Sequence, residues 1–430
     1  MYLDINAMDV TEMGNIERFP ARPDAKGAIA NLARVESALE QIAQGNQLIA
    51  DRAHPSTLAL LEAERPHDPI LCFSRQNLKE QARRFQREFA GEVTYAVKAN
   101  HSARVLEVLA REEIRTFDVA SLQEMQLVSA VLPGAEFHYH NPVKSRQEIA
   151  QAYDLYGVRR FAVDDMAELE KLKVICNPGE TTLAIRFRLN GTAAVHDFST
   201  KFGATTAAAA DLLKAAGAAG FSCALTFHPG SQCYEPVAYA RYIREASKIA
   251  RKARVKLVAL NVGGGFPASY ENDQLPELED YFAVIEAAVK ENFGSKAPML
   301  ECEPGRAMVA SCMSLLVPVK HVRQSQHEVF LQDGIYGTLM EFSQTTLRPS
   351  VTWHRAGEDT FADKTIEFQV YGPTCDPLDR LPGQYMLPVD ICEGDYLEFG
   401  PMGAYSIATA TRFNGYGDVR IVPVTELFSA

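Results

Sequence analysis

Eight short apolar or β-branched runs, separated by stretches of helical period, constrain the fold of this 430-residue chain more than any other feature. Alternation of this kind predicts βα units arranged around a parallel sheet. Eight such repeats in about 230 residues match the number and size of a closed (β/α)8 barrel. Since repeats alone do not establish closure, an open doubly wound sheet is the alternative. The predicted strands are VTYAV, RTFDV, AEFHYHN, RRFAVDD, LAIRFRL, CALTFHP, KLVALNV and PMLECEP.

The pattern divides the chain into three predicted segments. Residues 1–69 form a helical extension, with apolar positions at helical spacing in 28–50 and a second short helix in HPSTLALLEAERP. Residues 70–320 form the α/β segment, a (β/α)8 TIM barrel. Residues 321–430 carry short β-like runs broken by Gly, Pro and Asp, which predict an all-β C-terminal domain. These runs are HEVFLQDG, KTIEFQVYGP, DYLEFGP and VRIVPVTELF.

Charge and cysteine usage exclude several classes of protein. The net charge of −12 argues against a nucleic-acid-binding protein. The cysteines contain no C-x-x-C pair, which argues against a disulfide scaffold or a zinc ribbon and favours reduced thiols. The N-terminus lacks a leader pattern, and no stretch approaches the roughly 20 apolar residues that a spanning helix needs. We therefore expect a cytoplasmic protein that binds no nucleic acid, membrane or metal.

Polar side chains and glycines stand at or just after the ends of the predicted strands, where barrel enzymes carry their active sites. Among them is Lys98, in TYAVKANHS. An ammonium at the end of an apolar strand costs free energy unless it is paired or neutralised. A solvated lysine is the common alternative, but the position of Lys98 favours chemistry. The strand-end residues are Lys98, Asp118, Asn141, Asp164, Asp165, Arg186, His228, Gly263 to Gly265, Glu303 and Arg306.

Two adjacent segments predict a phosphate site. In NVGGGFP, Gly263 to Gly265 leave backbone N–H groups open to an anion, with a simple tight turn as the alternative. ECEPGRAMVAS adds Gly305 and Arg306, and barrels often hold phosphate in the loops after the seventh and eighth strands. Glu303 would repel phosphate and therefore needs another partner. A local ion pair between Glu303 and Arg306 is the alternative.

A lysine, a phosphate cradle and a carboxylate at one barrel mouth predict pyridoxal 5′-phosphate as the cofactor. Its aldehyde needs a lysine for a Schiff base, and its ring nitrogen needs an acidic partner. FHPGSQC adds His228 as a ring that stacks on the cofactor and Ser231 as a phosphate ligand, although a lone histidine is more often structural.

The C-terminal segment YGPTCDPLDRL offers a second set of candidates. Cys375 is a candidate proton donor to a carbanion, and Asp376 and Asp379 are candidate ligands for a substrate amine. An acidic loop without catalytic function is the alternative.

The chain resembles the fold-type III pyridoxal-phosphate decarboxylases, the ornithine, lysine and diaminopimelate decarboxylase family. The resemblance implies an alanine-racemase-like barrel followed by a β domain. It extends from about residue 70 to about residue 420, and the matching motifs occur in the family's order. They are YAVKAN, FDVAS, KFG, FHPGSQC, GGGFP, EPGR, DGIYG, GPTCD and GAYS.

The resemblance also implies a role for each matching residue. Lys98 would bind the cofactor aldehyde, His228 would stack on the ring, and Glu303 would pair with the ring nitrogen. Cys375 would protonate the carbanion after carbon dioxide leaves. The family combines the lysine of one subunit with the cysteine of the other, so a homodimer is implied. The further cofactor contacts implied are Asp118, Arg186, Ser231, Gly263, Gly264, Gly265, Gly305, Arg306 and Tyr405.

The substrate is less well determined than the chemistry. CDPLDR is similar to the ornithine and lysine branch, and it predicts decarboxylation of a basic L-amino acid in polyamine biosynthesis. Residues 340–350, however, lack the additional Asp of the ornithine enzymes, and LRP resembles the diaminopimelate branch, where the matching Arg348 would bind a distal carboxylate. Diaminopimelate or a carboxylated polyamine is therefore an alternative substrate. A catalytically inactive homologue that binds a partner is the alternative from another class, although retention of the catalytic lysine and cysteine weighs against it.

Overall fold

The computed structural model describes residues 53–189, 194–196, 201–271, 274–357 and 360–427, so the helix predicted at 28–50 lies outside the described residues. The strands, in chain order, are β1 His54–Ser56, β2 Ile70–Phe73, β3 Glu92–Ala96, β4 Thr116–Val119, β5 Glu136–Tyr139, β6 Arg160–Val163, β7 Thr182–Arg186, β8 Ala194–His196, β9 Ser222–Thr226, β10 Ser231–Cys233, β11 Ala259–Asn261, β12 Met299–Cys302, β13 Met313–Arg323, β14 Glu328–Leu331, β15 Ser350–His354, β16 Thr365–Tyr371, β17 Tyr385–Pro388, β18 Tyr396–Gly400 and β19 Arg420–Glu426. The helices are α1 Thr57–Glu64, α2 Arg75–Glu88, α3 Ala103–Arg111, α4 Leu122–Val131, α5 Arg146–Leu155, α6 Met166–Ile175, α7 Thr206–Ala218, α8 Val237–Ala253, α9 Leu278–Phe293, α10 Arg306–Val309, α11 Met340–Gln344 and α12 Ser406–Thr409.

A closed parallel barrel forms the centre of the described chain. Its strands follow the order β3, β4, β5, β6, β7, β9, β11 and β12, and β12 returns to β3. Strand β11 completes the closure because it pairs with β9 on one side and β12 on the other. All eight strands predicted from the sequence lie in this barrel. The prediction of a (β/α)8 barrel is confirmed, and the open doubly wound sheet is excluded.

Side-chain caps fix where three of the described helices begin. Ser74 accepts a hydrogen bond from the Asn77 backbone N–H at the start of α2, and Ser121 accepts one from Glu124 at the start of α4. Ser145 caps α5 reciprocally with Glu148. Such caps satisfy N–H groups that have no partner within the helix, and they fix where each helix begins.

An aromatic layer packs behind two of the strand-end loops. The ring of Phe227 stacks on Tyr242 with centroids 4.6 Å apart, and Tyr239 stacks on Phe266 at 5.1 Å. Tyr239 also donates its hydroxyl hydrogen to the Gly264 carbonyl at 2.8 Å. Since these rings are buried, they hold the loops after β9 and β11 from behind.

The second sheet contains strands from both ends of the described chain. It runs in the order β1, β19, β2, β13, β14, β16, β17, and β18 pairs with β13 and β15. The four predicted C-terminal runs are present as β14, β16, β18 and β19. The predicted short helix in HPSTLALLEAERP is α1.

The boundaries of this sheet differ from the sequence prediction at both ends of the barrel segment. Strand β2, at Ile70–Phe73, pairs with β13 and β19, so the chain at residue 70 belongs to the second sheet rather than to the barrel. Strand β13 crosses the boundary predicted at residue 320. The first difference arises because the partners of β2 lie more than two hundred residues further along the chain, where local patterns carry no information about pairing. The second arises because β13 is one continuous strand that pairs with β2 at its start and with β14 at its end.

No helix within the described ranges combines the length and the apolar character needed to span a membrane. All eight cysteines are free thiols. Six of them are buried and two are exposed; the buried ones are Cys72, Cys176, Cys223, Cys233, Cys302 and Cys312, and the exposed ones are Cys375 and Cys392.

Candidate active site

A cavity of about 420 Å³ opens at the C-terminal ends of the barrel strands. Parallel strands deliver their last side chains to the same mouth, and this end of the barrel therefore collects the polar residues predicted from the sequence. The predicted site residues that line the cavity are Lys98, Asp118, Arg186, His228, Ser231, Glu303, Arg306 and Tyr405.

Lys98 enters the cavity from the turn after β3. Its Nζ lies 3.2 Å from Oδ2 of Asp118, which is in the neighbouring strand β4. The Asp118 side chain is 5% exposed and the Lys98 side chain 46% exposed, so the ammonium faces the open cavity. The charge of Asp118 raises the pKa of Lys98 above its ordinary value. The lysine is therefore paired, and it is accessible to a ligand.

Glu303, directly after β12, is the second charged centre. Its Oε1 accepts a hydrogen bond from Asn261 Nδ2 at 2.6 Å and another from His140 Nδ1. Its backbone N–H donates to the Gly263 carbonyl at 2.9 Å. Burial alone would raise the pKa of Glu303, but the charge and hydrogen bond of His140 outweigh burial and hold this pKa below its usual range. Glu303 is a buried carboxylate that stays ionised.

The glycines after β11 form a close-fitting cradle. A Cβ on Gly264 would lie 2.5 Å from the Glu303 carbonyl oxygen, and one on Gly263 would lie 2.1 Å from the Phe227 carbonyl oxygen. Gly263 and Gly265 also have φ of +71° and +94°, conformations that side chains rarely adopt. Only glycine fits here, because these positions pack against backbone carbonyl groups. Gly265 also lines an adjoining small cavity, together with Ser231 and Arg306.

Arg306 lies beside this cradle and is 5% exposed. Its Nε donates to Ser231 Oγ at 3.3 Å, and its Nη1 donates to the Tyr270 hydroxyl at 2.7 Å. Both terminal amino groups also reach the carboxylate of Glu341 in α11. The guanidinium carbon lies 4.8 Å from the centre of the Tyr405 ring. The local Glu303–Arg306 ion pair considered from the sequence does not form, because each residue has other partners.

His228 provides a neutral ring at the end of β9. Burial and the charge of Lys98 lower the pKa of His228 to about 3. Its Nδ1 accepts a hydrogen bond from the Gly230 backbone N–H at 3.1 Å. Because the ring is uncharged, it presents a flat face to the cavity without repelling the neighbouring cations.

The arrangement fits pyridoxal phosphate at three points. Lys98 is an accessible amine for the aldehyde, and the ionised Glu303 suits a protonated ring nitrogen. The glycine cradle, with Ser231 and Arg306, suits a phosphate. The observation that favours an anionic group is the small adjoining cavity lined by Gly265, Ser231, Gly305 and Arg306.

The same carboxylates are poorly arranged for a metal ion. Donor atoms of Asp118, His140 and Glu303 lie within 4.8 Å of one another. However, Asp118 is paired with Lys98, and His140 is hydrogen-bonded directly to Glu303, which leaves no space for an ion between the last two.

The predicted acid, Cys375, is absent from the residues that line this cavity. Its thiol is exposed, and Sγ lies 3.4 Å from Asn414 Oδ1. The adjacent Asp376 accepts a hydrogen bond from the Tyr336 hydroxyl at 2.5 Å, and this bond lowers the pKa of Asp376. Within the described chain, Lys98 and Cys375 therefore face different spaces.

Asp379 has a structural role in the cysteine loop that could not be predicted from the sequence. This carboxylate is 1% exposed. It accepts backbone hydrogen bonds from Ile335 at 3.0 Å and Thr374 at 3.0 Å, and a hydroxyl hydrogen bond from Thr374 at 2.7 Å. Since these donors engage both oxygens of a buried carboxylate, Asp379 holds the cysteine loop in shape. A contact between Asp379 and a substrate amine stays a prediction.

Arg348 also lies outside the cavity. Its Nη2 donates to the Gln384 carbonyl at 2.6 Å, its Nε lies 3.6 Å from Glu271 Oε2, and its guanidinium carbon lies 4.9 Å from the centre of the Tyr385 ring. These contacts tie two loops together. A contact between Arg348 and a distal substrate carboxylate stays a prediction.

Three residues of the site were missed in the sequence. His140 and Asn261 were not predicted, because Asn141 and the glycines that follow Asn261 carried the stronger sequence signals. Their positions directly at strand ends were the signal that could have found them. Glu341 carried no such signal, since it lies in the second domain and reaches Arg306 only through the tertiary fold.

Comparison with known proteins agrees with this geometry. Residues 75–310 match the family described as pyridoxal-dependent decarboxylase, pyridoxal binding domain. The lysine/ornithine decarboxylase of Selenomonas ruminantium is 32% identical over 363 residues, which cover 82% of this chain and 89% of that protein. Antizyme inhibitor 2 of Xenopus laevis is 31% identical over 342 residues, covering 75% and 73%. The solved structure of a Vibrio vulnificus lysine/ornithine decarboxylase complexed with putrescine has a TM-score of 0.74 at 27% identity, covering 85% of this chain and 98% of that one.

Proposed function

This chain belongs to the pyridoxal-dependent decarboxylase family, and from that premise we propose that it removes the α-carboxylate of a basic L-amino acid of the ornithine or lysine type. The observation that carries the proposal is a cavity lined by Lys98 and the ionised Glu303, which adjoins a smaller one lined by Gly265 of the cradle. When bound, pyridoxal phosphate supplies an aldehyde that captures amines and a ring that accepts the electron pair released as carbon dioxide leaves.

The side chains around the cavity would hold and orient the cofactor. Lys98 would anchor the cofactor through its side-chain amine, which faces the cavity. Glu303 keeps the ring nitrogen protonated, because an ionised carboxylate stabilises a proton on its partner. Gly264 and Gly265 would hold the phosphate by backbone N–H groups, and Ser231 and Arg306 would hold it by a hydroxyl and by charge. The N–H of Gly263 donates to Asn261 Oδ1 at 2.7 Å, so Gly263 serves the turn itself. His228 supports one face of the ring as a neutral imidazole, and Asp118, Arg186, Gly305 and Tyr405 complete the walls.

The proton that replaces the carboxylate comes, in this proposal, from Cys375 of a partner subunit. Three observations support a second subunit. Cys375 is exposed and does not line the cavity of its own chain. Leu378 in the same loop is 66% exposed, and Phe413, which packs on Tyr336 beside it, is 42% exposed. Such apolar side chains are commonly covered at an interface. A two-fold dimer would bring each Cys375 loop to the cavity of the other chain.

Charge supports a substrate with a cationic end. The cavity wall contributed by α11 and its C-terminal end contains the polar side chains of Gln344 and Thr345, while the carboxylate of Glu341 is paired with Arg306. In the dimer proposed above, Asp376, which forms no ion pair within the described chain, would add a carboxylate close to the cysteine. Arg348, the residue that suggested a substrate with a second carboxylate, is engaged elsewhere. These features favour a distal ammonium over a distal carboxylate.

The rival from another class is an inactive homologue that acts by binding a partner. Antizyme inhibitor 2, among the relatives, bears the name of an inhibitor rather than a decarboxylase. The presence of Lys98, Glu303 and Cys375 in this chain favours an enzyme, because a binding protein needs none of them.

The decisive experiment measures carbon dioxide release and amine formation by the holoenzyme on ornithine, lysine, arginine, diaminopimelate and a carboxylated polyamine. We expect activity on ornithine or lysine, loss of this activity in Lys98→Ala, and little change in Arg348→Ala. Selective activity on diaminopimelate or the carboxylated polyamine, with a sharply raised KM in Arg348→Ala, would mean that the native substrate carries a second carboxylate that Arg348 binds. Full cofactor binding without turnover of any substrate would favour the binding protein.

A further inference from the structure

We propose that His140 is a positioning residue for the decarboxylase reaction: its ring holds one oxygen of Glu303 so that the other faces the ring nitrogen of the cofactor. The proposal rests on the proposed function for its chemical meaning. It concerns a side chain that neither anchors the cofactor nor touches the predicted substrate groups.

The hydrogen bonds to Glu303 are unevenly shared between its oxygens. In the described chain, both hydrogen bonds accepted by its side chain end on Oε1, from Asn261 Nδ2 at 2.6 Å and from His140 Nδ1. Glu303 lines the cavity at 9% side-chain exposure. With Oε1 held by two donors, the carboxylate cannot rotate freely, and Oε2 is the oxygen left for a ligand.

His140 is well suited to hold that oxygen. Its backbone N–H donates to the Val119 carbonyl at 3.3 Å, which fixes the chain directly after β5 to the end of β4. The buried ammonium of Lys144 then fixes the following loop, because it donates to the carbonyls of Asn141 at 2.7 Å and Ala162 at 2.6 Å. The His140 ring is therefore placed before any ligand arrives.

The direction of the His140 hydrogen bond follows from the charge of Glu303. An ionised carboxylate can only accept, so Nδ1 must carry a hydrogen and donate. Nε2 is buried and has no hydrogen-bond partner among the described residues. A buried polar atom without a partner is costly, and such atoms concentrate where a group serves a function rather than stability. The Nδ1 donor is thus the polar contact that the His140 side chain makes in the described chain.

The hydrogen bond from His140 affects the protonation state of Glu303. This carboxylate is buried and also lies close to Asp118, which disfavours its ionisation. A neutral Glu303 would itself donate a hydrogen and could no longer hold a proton on the cofactor ring. By donating to Oε1, His140 favours the charged carboxylate, and with it the protonated ring nitrogen on which the proposed reaction depends.

The test compares two replacements of His140 that differ in one donor. The amide Nδ2 of Asn lies close to the place of Nδ1 of His, so His140→Asn keeps the donor, whereas His140→Ala removes it. His138→Asn is the matched control, because His138 is buried in β5, two residues before His140, and its ring lies 5.2 Å from that of His140 without a hydrogen bond to Glu303. The measured quantities are the dissociation constant of pyridoxal phosphate for each apoenzyme, the ¹⁵N chemical shift of the bound pyridine nitrogen, and kcat and KM.

We expect His140→Ala to weaken cofactor binding about tenfold or more, to shift the ¹⁵N signal toward the unprotonated ring, and to lower kcat with little change in KM. His140→Asn, which keeps the donor without the charge, should recover part of each loss, and His138→Asn should stay within about twofold of wild type. A wild-type ¹⁵N signal and affinity in His140→Ala would overturn the proposal, as would equal losses in the Ala and Asn variants, which would mean that the ring only fills space. Should His140→Ala fail to fold, His140→Leu, closer in volume to imidazole, takes its place in the same comparison.

This test separates the two proposals. If wild type binds the cofactor but decarboxylates none of the substrates, the proposed function fails, while the affinity and ¹⁵N comparison still decides the role of His140.

Discussion

Arg306 donates both of its terminal amino groups to the carboxylate of Glu341, with Nη1 2.9 Å from Oε2. The two side chains are 4% and 8% exposed, so the ion pair is buried beside the glycine cradle. A phosphate that binds there must share a guanidinium that already carries a carboxylate. Glu341 therefore opposes the cofactor through its charge, even though it orients the arginine.

Glu341→Gln should bind pyridoxal phosphate more tightly than wild type, because removal of a buried negative charge relieves its repulsion of the phosphate. We expect a gain of about tenfold, or about 1.4 kcal/mol. Titration of the apoenzyme with pyridoxal phosphate measures it, and Glu367→Gln, an exposed substitution of the same kind in β16, is the control. Weaker binding in Glu341→Gln would show that orientation of Arg306 outweighs the charge.

The barrel and the polar ring at its mouth could be predicted because both follow from local order. Each strand is a short apolar run, and its last residues, such as Lys98 and Glu303, reach the mouth through closure of the barrel. Pairings across long stretches of chain could not be predicted in this way. The place of β2 in the second sheet depends on β13, the burial of Asp379 depends on N–H groups from another loop, and Glu341 meets Arg306 only in three dimensions.

Cys375→Ala should leave cofactor binding unchanged and should still release carbon dioxide, but slowly. Without the thiol, a proton reaches the wrong atom and hydrolysis gives an aldehyde by-product. Product analysis by mass spectrometry checks this outcome. Cys392→Ala, which removes the other exposed thiol, should behave as wild type. If Cys375→Ala yields the amine alone at the wild-type rate, this cysteine has no part in the reaction.

Lys98→Ala and Cys375→Ala should complement each other in a mixed dimer. If each site combines Lys98 of one chain with Cys375 of the other, either homodimer lacks an essential group at both of its sites. After subunit exchange, about half of the dimers are mixed, and each mixed dimer has one intact site. Activity should recover to about a quarter of wild type, as random pairing in a closed two-fold dimer predicts. Exchange that is demonstrated by a mass-labelled subunit, yet restores no activity, would place both residues in the site of a single chain.

The stability of the apoenzyme should fall below about pH 6.5, partly because of His138. Burial and the neighbouring charge of His140 lower the pKa of His138 well below its ordinary value, so the unfolded chain binds a proton that the folded chain does not. The unfolding free energy therefore decreases as pH falls, by up to about 1.4 kcal/mol per pH unit for this residue. Between pH 7 and 5.5, His138→Asn should lose about 1 kcal/mol less than wild type in urea unfolding. His67→Asn, at an exposed position, should show the wild-type loss, and equal losses in all three proteins would mean that His138 is not held neutral.

The assignment of Lys98 is tested by locating the lysine that carries the cofactor. Two described lysines line the cavity, Lys98 and Lys201, which makes Lys201 the natural comparison. Wild-type holoenzyme, Lys98→Ala and Lys201→Ala are reduced with borohydride and digested, and the pyridoxyl group is located by peptide mass spectrometry. We expect the label on Lys98 in wild type and in Lys201→Ala, and no label in Lys98→Ala. A label on Lys201, or on any other lysine of the wild-type protein, would contradict this assignment.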